Sequence, residues 1–297
     1  MNARPKLPET TRGLRFARMH GCGNDFVVID DRAGVWLAQR EKLAQELCDR
    51  RKGLGGDGLI LIERGSDSAD FRMSYTNRTG MDGEMCGNGA RCTVLRAAEL
   101  GLVNGKAAMA TDAGLIRATI DGRIITLAMT PPVDERPATE MDLAGGKLTG
   151  WYIDTGVPHV VVFIDSAAEL EALHVATIGR DIRYHRAFER GANANFAARL
   201  PDGSFRMRTY ERGVEMETLA CGTGAVAVGL IARRRFGAAS PVVIHPTGGG
   251  QLQIGFRAAS HGTFHDVTLS GPAETIAEGE IAADWLAARG LTPAAAG

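Results

Sequence analysis

The sequence predicts an α+β chain made of two related halves, and three observations carry that prediction. The first is a repeat: "EMCGNGARC" (84–92) is answered by "LACGTGAVA" (219–227), each placing a cysteine before a glycine pair and a helix-forming run. The cysteine offset, 135 (221 minus 86), also relates Gly87 to Gly222, Gly89 to Gly224, Ala90 to Ala225 and Tyr75 to Tyr210. At an offset of 134, Phe71-Arg72-Met73 is matched by Phe205-Arg206-Met207. The second is the length of that repeat. One long repeat in 297 residues points to two facing halves with the site between them, not to a solenoid of short units. The third is the order of elements, in which strands and helices do not strictly alternate, so mixed layers are expected in place of a doubly wound sheet.

The elements follow in order. Residues 14–31 read as a strand, a glycine turn ("HGCGND") and a second strand ("FVVID"). "WLAQREKLAQELCDRR" places Leu37, Leu43, Ala44 and Leu47 at helical spacing and is stopped by Gly53. Strands "GLILIER" and "FRMSYTN" lead to the first cysteine, and "NGARCTVLRAAELG" reads as an amphipathic helix closed by Gly101. "LIRATIDG" and "RIITLAMT" form an expected hairpin around Asp121-Gly122. The Pro-, Gly- and charge-rich stretch "PPVDERPATEMDLAGGKLTG" is the expected linker, giving halves of 1–131 and 132–275, with 276–297 crossing back to the first. After it come strands "GWYIDTG" and "VVVFID", a helix around "AAELEALH", and strands "NANFAARL" and "SFRMRTYE". Then "TGAVAVGLIARRRFG" is apolar on nearly every side before its arginines, so it should be buried mid-domain with its cations at the negative end of the helix dipole.

Composition narrows the class. A hydrophobic content of 44% over this length supports a sizeable core, and a net charge of −1 argues against a nucleic-acid binder or a membrane-surface protein. A small-molecule partner is expected. The first twenty residues lack an apolar signal-like core, and the runs "HVVVFI" and "GAVAVGLIA" are too short to span a bilayer, so a soluble, cytoplasmic chain is expected. Cys22, Cys48, Cys86, Cys92 and Cys221 are odd in number and widely spaced, unlike a disulfide framework.

Several motifs fail on context. "GLGGDG" matches the dinucleotide fingerprint at Gly53, Gly55 and Gly58, but a helix precedes it and a strand follows, the reverse of what the fingerprint needs. There is no C-x-x-C or H-E-x-x-H to suggest a metal, and no G-x-S-x-G elbow to suggest a serine hydrolase. No cofactor is expected, although missing motifs alone do not exclude pyridoxal chemistry.

The duplicated thiols are different. A cysteine at a helix N-terminus meets the positive end of the dipole and unpaired backbone N–H groups, both of which favour thiolate. The same N–H groups form an anion pocket, and the glycines allow a carboxylate to approach the backbone. Taken singly, Cys22, Cys48 and Cys92 read as small buried apolar residues. Two thiols and two carboxylate-binding helix ends suit removal of a proton from an amino-acid α-carbon. One thiolate would take the proton from one face and the opposite thiol would protonate the other, inverting the centre.

"MHGCGNDFVVID", "MCGNGARC", "GVPH", "NANF" and "YERGVEMETLACGTGA", in this order between about residues 14 and 285, resemble the diaminopimelate epimerase family. The resemblance implies a pyridoxal-independent isomerase acting on LL-2,6-diaminopimelate, with pseudo-symmetric domains that each wrap a largely antiparallel sheet around a central helix. It implies Cys86 and Cys221 as acid/base thiols, with His159 and Glu211 supporting proton transfer. Gly87, Asn88, Gly222 and Thr223 would hold the reacting carboxylate, while Asn24, Asn77, Asn193, Glu211 and Arg212 would bind the rest of the substrate. A homodimer is compatible with it. Val157 and Gly58 depart from residues common in the family, and the segment from Glu211 to Cys221 is one residue longer than the family's shorter form. Two other readings stand beside it: the same two-thiol chemistry on a different amino acid, as in proline and histidine racemases, and a thiol redox or ligand sensor. Turnover separates the sensor, which would exchange no α-proton.

Overall fold

The computed structural model describes residues 13–83, 85–143, 145–259 and 262–295. The opening residues 1–12, part of the stretch read above for a signal, lie outside them, as does Glu84 at the edge of the first repeat copy. The chain divides into two compact units. The first runs up to His20, from Asp25 to Leu115 and from Glu274 onward; the second holds Gly21–Asn24 and Ile116–Ala273.

In the first unit, β1 (Leu14–Gly21) and β2 (Asn24–Asp30) flank the expected glycine turn, where Cys22 and Gly23 both adopt positive φ. After a 3₁₀ turn at Leu37–Gln39, α1 (Arg40–Leu47) buries Leu43, Ala44 and Leu47, the spacing that predicted it. β3 (Gly58–Ser66) lies parallel to β2, and β4 (Ala69–Asn77) is antiparallel to β3. Short β5 (Asp82–Gly83) pairs with β4, α2 (Gly87–Glu99) follows the first cysteine, and β6 (Lys106–Thr111) returns parallel to β4. Alternation along the strands separates two cores. Val27, Ile29, Leu59 and Leu61 pack with α1, while Phe26 and Ile60 face the glycine side of α2 at Gly89.

β7 (Gly114–Asp121) and β8 (Ile124–Ala128) form the expected hairpin, with Asp121 opposite Ile124 and Gly122 at φ 57°. β8 pairs antiparallel with β17 (Phe264–Pro272), which groups the hairpin with the second unit. The expected linker is ordered in part. It contains β9 (Thr139–Leu143) and the start of β10 (Gly146–Asp154), because Met141 is a fully buried member of a core with Tyr152 and Val160. β11 (Pro158–Ile164), α3 (Ala167–Ala172), α4 (Val175–Arg183), β12 (Asn193–Arg199), β13 (Phe205–Glu211), β14 (Met216–Thr218) and α5 (Gly222–Phe236) complete the second copy. β15 (Val242–Pro246) and β16 (Leu252–Ala258) lead into β17, and the chain then returns to the first unit through β18 (Glu274–Ile281), antiparallel to β1, and α6 (Ala283–Ala287).

The repeat seen at the cysteines is a repeat of pairing. In the first unit β2 runs parallel to β3, β3 antiparallel to β4, and β4 parallel to β6; in the second, β11, β12, β13 and β15 make the same sequence of pairings. The tyrosines that precede each cysteine pack over glycines. A Cβ at Gly58 or Gly83 would strike the Tyr75 ring, and one at Gly179 would strike Tyr210, so the departure at Gly58 is a packing requirement. In the second unit, Val161, Ala197, Phe205 and Met207 face α5 while Val160, Val162, Phe196 and Tyr210 face the α3–α4 side. α5 is buried almost throughout from Gly222 to Ala232, and Arg233–Arg235 occupy its last turn before Gly237 at φ 67°.

Candidate active site

Both repeat cysteines are helix N-caps. Cys86 precedes α2 at φ −130°, ψ 113°, and its Sγ accepts from the Gly89 N–H at 3.5 Å. Cys221 precedes α5 at φ −119°, ψ 114°, and its Sγ accepts from the Gly224 N–H at 3.3 Å. A sulfur in this position takes the place usually filled by Ser or Asp oxygen, and negative charge on it is stabilised by the helix end. Cys221 is buried and Cys86 half-buried. The other cysteines match their bland reading: Cys22, Cys48 and Cys92 are buried, and burial together with the nearby Asp25 charge pushes the Cys48 thiol up to about 12.

Around Cys86, Asn88 is buried at the second position of α2, and its Oδ1 accepts from Arg91 Nη2 at 2.8 Å. Arg91 is completely buried, and its Nη1 also donates to the Gly87 carbonyl at 3.2 Å. Sequence reasoning missed this residue, because its counterpart in the second copy is Val226 and the repeat drew no attention to it. Around Cys221, the Thr223 hydroxyl lies 3.5 Å from Sγ, and Thr155 Oγ1 donates to the Thr223 carbonyl at 3.0 Å. Thr155 was also missed.

The residues assigned to the remainder of the substrate are differently placed. Asn193 is buried, with Nδ2 donating to the Pro158 carbonyl at 3.0 Å and Oδ1 accepting from the Arg212 N–H at 2.8 Å. It therefore braces the backbone of Arg212, whose Nη1 donates to the Arg190 carbonyl at 3.1 Å. Glu211 ends β13 and accepts a hydrogen bond from Thr218 Oγ1. Asn77 acts as a turn residue, its Oδ1 accepting from Thr79 N, Thr79 Oγ1 and Met81 N. Asn24 is half-buried at the start of β2.

His159 is wholly buried on β11 and neighbours Asn193 across the parallel pair. Burial, helped by the Arg212 charge, lowers its pKa to about 3, so the ring is neutral at ordinary pH. Its Nδ1 lies 3.1 Å from Asn195 Nδ2, whereas Nε2 has no hydrogen-bond partner among the described residues. Asn195 lies in the quoted "NANF" motif, yet only Asn193 of that motif was singled out from the sequence.

Comparison with known proteins identifies the family. A family model described as diaminopimelate epimerase matches residues 16–133 and 151–275. The diaminopimelate epimerase of Aquifex aeolicus (strain VF5) is 37% identical over 285 residues, covering 92% of this chain and 99% of that protein. That of Flavobacterium psychrophilum is also 37% identical, over 270 residues, covering 90% and 100%. Among solved structures, a PhzF-family phenazine biosynthesis protein from Bacillus anthracis superimposes with a TM-score of 0.73 at 15% identity, covering 91% of this chain and 99% of its own. A hydroxyproline epimerase from Agrobacterium vitis, solved with bound trans-4-hydroxy-L-proline, gives 0.66 at 18%, covering 91% and 93%. At such identities the two structures attest the fold alone.

Proposed function

The chain belongs to the diaminopimelate epimerase family, and from that membership we infer an isomerase that converts LL-2,6-diaminopimelate to the meso form with Cys86 and Cys221 as its acid and base. The observation that carries the chemical reading is the matched capping geometry: each thiol sulfur already accepts a backbone N–H at the positive end of a helix.

The reaction balances without an external oxidant or reductant. One cysteine, as thiolate, removes the α-proton, and the C–H electron pair passes into the α-carbon and its carboxylate. The other cysteine, as thiol, delivers its proton to the opposite face of that carbon. The first sulfur is then a thiol and the second a thiolate, ready for the reverse direction. The carboxylate gains charge as the proton leaves, and N–H groups at Gly87-Asn88 and Gly222-Thr223 are the donors we assign to it. These groups are fixed before reaction, so they stabilise the transition state without reorganising.

The distal end of the substrate is itself an amino acid. Arg212, held through its backbone by Asn193, is assigned to that carboxylate, and Asn24, Asn77 and Glu211 to the remaining polar groups. A cyclic substrate such as proline would leave a guanidinium here without an anion, which favours diaminopimelate. No described helix is long and apolar enough to cross a membrane. We place the enzyme in the cytoplasm, where its product serves lysine and peptidoglycan synthesis.

The test is direct. Incubation with LL-diaminopimelate in D₂O should yield meso product carrying solvent deuterium at the inverted carbon, while substrate sampled early remains protiated. Label appearing equally early in both isomers would show one base serving both faces and overturn the two-thiol assignment.

A further inference from the structure

One support of the second thiol comes from outside its helix. Thr155, buried in the loop between β10 and β11, places Oγ1 3.0 Å from the Thr223 carbonyl oxygen. A carbonyl can only accept, so the single hydroxyl proton of Thr155 is directed at Thr223. The peptide group that begins with that carbonyl ends in the Gly224 N–H, and this is the donor that lies 3.3 Å from Cys221 Sγ. Hydroxyl, peptide and sulfur therefore form one chain, from Thr155 O–H to Thr223 C=O and from Gly224 N–H to Sγ.

The direction of that chain matters. In a planar trans peptide the C=O and N–H point opposite ways, so a donor at the oxygen draws electron density from the nitrogen and makes its N–H a better donor. Negative charge on a sulfur is what such an N–H stabilises. Simple satisfaction of the carbonyl does not account for the bond. Thr223 lies in the first turn of α5, where its carbonyl is paired by the helix itself, so the hydroxyl adds a second bond to a group that already has one. The loop is held to make it. The Asp154 carboxylate accepts from the Gly156 N–H at 3.0 Å and from Arg190 Nη2 at 2.8 Å, and the Thr155 N–H donates to the Val157 carbonyl at 3.2 Å. In the first copy Arg91 donates to the Gly87 carbonyl, which belongs to the peptide before the one whose N–H meets Cys86.

We propose that Thr155 is a positioning residue for Cys221: its hydroxyl polarises the Thr223–Gly224 peptide and so strengthens the N–H that stabilises the sulfur as thiolate. The inference deepens the epimerase reading and rests on it for its catalytic consequence, since the thiolate is what removes the α-proton. The hydrogen-bonded chain itself does not depend on the reaction. The effect is modest, because Thr155 strengthens a bond the sulfur already has and adds none to it. It gives the loop "DTGVPH" a part in the site although Val157 carries no polar side chain.

The test compares two thiols in one protein. Wild type and Thr155→Val, which replaces the hydroxyl with a methyl group of similar size, are treated with iodoacetamide at one near-neutral pH without substrate. Label on Cys221 and on Cys86 is then followed separately by peptide mass spectrometry. Thiolate is the species that reacts, so alkylation of Cys221 should slow by about two- to fivefold in Thr155→Val while Cys86 keeps its rate. Thr155→Ser, which keeps the hydroxyl, should restore the wild-type rate. kcat/KM for LL-diaminopimelate should fall by a similar factor in Thr155→Val, through kcat more than through KM. An unchanged Cys221 rate, equal slowing of both thiols, no reaction at Cys221 even in the wild type, or a serine variant that behaves as valine would each overturn the proposal. If Thr155→Val does not fold, Thr155→Ala set against Thr155→Ser makes the same comparison. Wild-type protein that leaves LL-diaminopimelate unchanged would refute the epimerase reading alone, and the alkylation result would stand apart from it.

Discussion

Gly89 and Gly224 occupy the same place in the two copies, three residues after each cysteine, yet alanine should act very differently at each. At Gly224 a Cβ would lie closer than 3.0 Å to Asn195 Oδ1, a separation that real Cβ atoms do not show, and 3.2 Å from the Cys221 sulfur. Asn195 is fully buried among strands and has no open space to enter. Displacing it breaks its bonds with Thr209, Val160 and His159, each worth about 1 kcal/mol net, and leaves buried partners unsatisfied at a further ~1–3 kcal/mol. Alanine's better helix propensity returns at most about 1 kcal/mol. Gly224→Ala should therefore lose ~3–5 kcal/mol. At Gly89 the nearest atoms are the terminal methyl of Ile60 at 3.2 Å and the Cys86 Cβ at 3.5 Å, and the methyl can yield by rotation. Gly89→Ala should change stability by less than about 1 kcal/mol, since propensity offsets the small adjustment. Urea titrations decide this through the midpoint, provided the slope m is unchanged. A Gly224→Ala protein as stable as wild type, or equal losses for the two variants, would refute the reasoning from the Asn195 slot.

Three further outcomes are expected. Cys86→Ala and Cys221→Ala should each abolish net inversion, with losses of at least about 10²–10⁴-fold in kcat, since each direction needs one thiolate and one thiol; near wild-type turnover in either would remove the mechanism. Arg212→Ala should raise KM for diaminopimelate strongly, because water does not replace a guanidinium on a carboxylate, and an unchanged KM in steady-state kinetics would reassign that residue. His159 governs a pH dependence: its folded pKa, about 3, lies below the unfolded value of ~6.5, so below that pH the unfolded chain binds a proton the folded one refuses. The neutral buried ring is thus tolerated fully above about pH 6.5, and stability falls as pH drops toward 3, by up to about 1.4 kcal/mol per pH unit. His159→Gln should flatten that slope in urea midpoints measured between pH 6.5 and 4, and an unchanged slope would show that His159 titrates near its ordinary value.

What the sequence alone determined about this protein is local or periodic. A cysteine followed by glycines fixes a helix N-cap because cap, glycines and first turn are neighbours in the chain, and both copies adopt it with nearly the same backbone angles. Short, continuous apolar runs such as "FVVID", "GLILI" and "HVVVFI" read as strands, and with side chains pointing alternately to either side these runs are buried on both faces. The two capping cysteines were legible for the same reason, and the repeat made them conspicuous. The tertiary structure alone decided the surroundings. β9 was hidden in a linker-like composition, and what orders it is Met141 meeting a core assembled from β10, β11 and β12. α4 was not anticipated, although Val175, Gly179 and Ile182 line its buried face. Arg91 looks like an ordinary helix-surface cation until the fold closes over it, and that the Asn193 amide braces the Arg212 backbone is visible only in the fold. Asn195 shows the difference most plainly. Its partners come from β11 and β13 as well as its own strand, and sequence cannot say which donor a buried amide will meet, because that depends on residues brought together only by the register of the sheet.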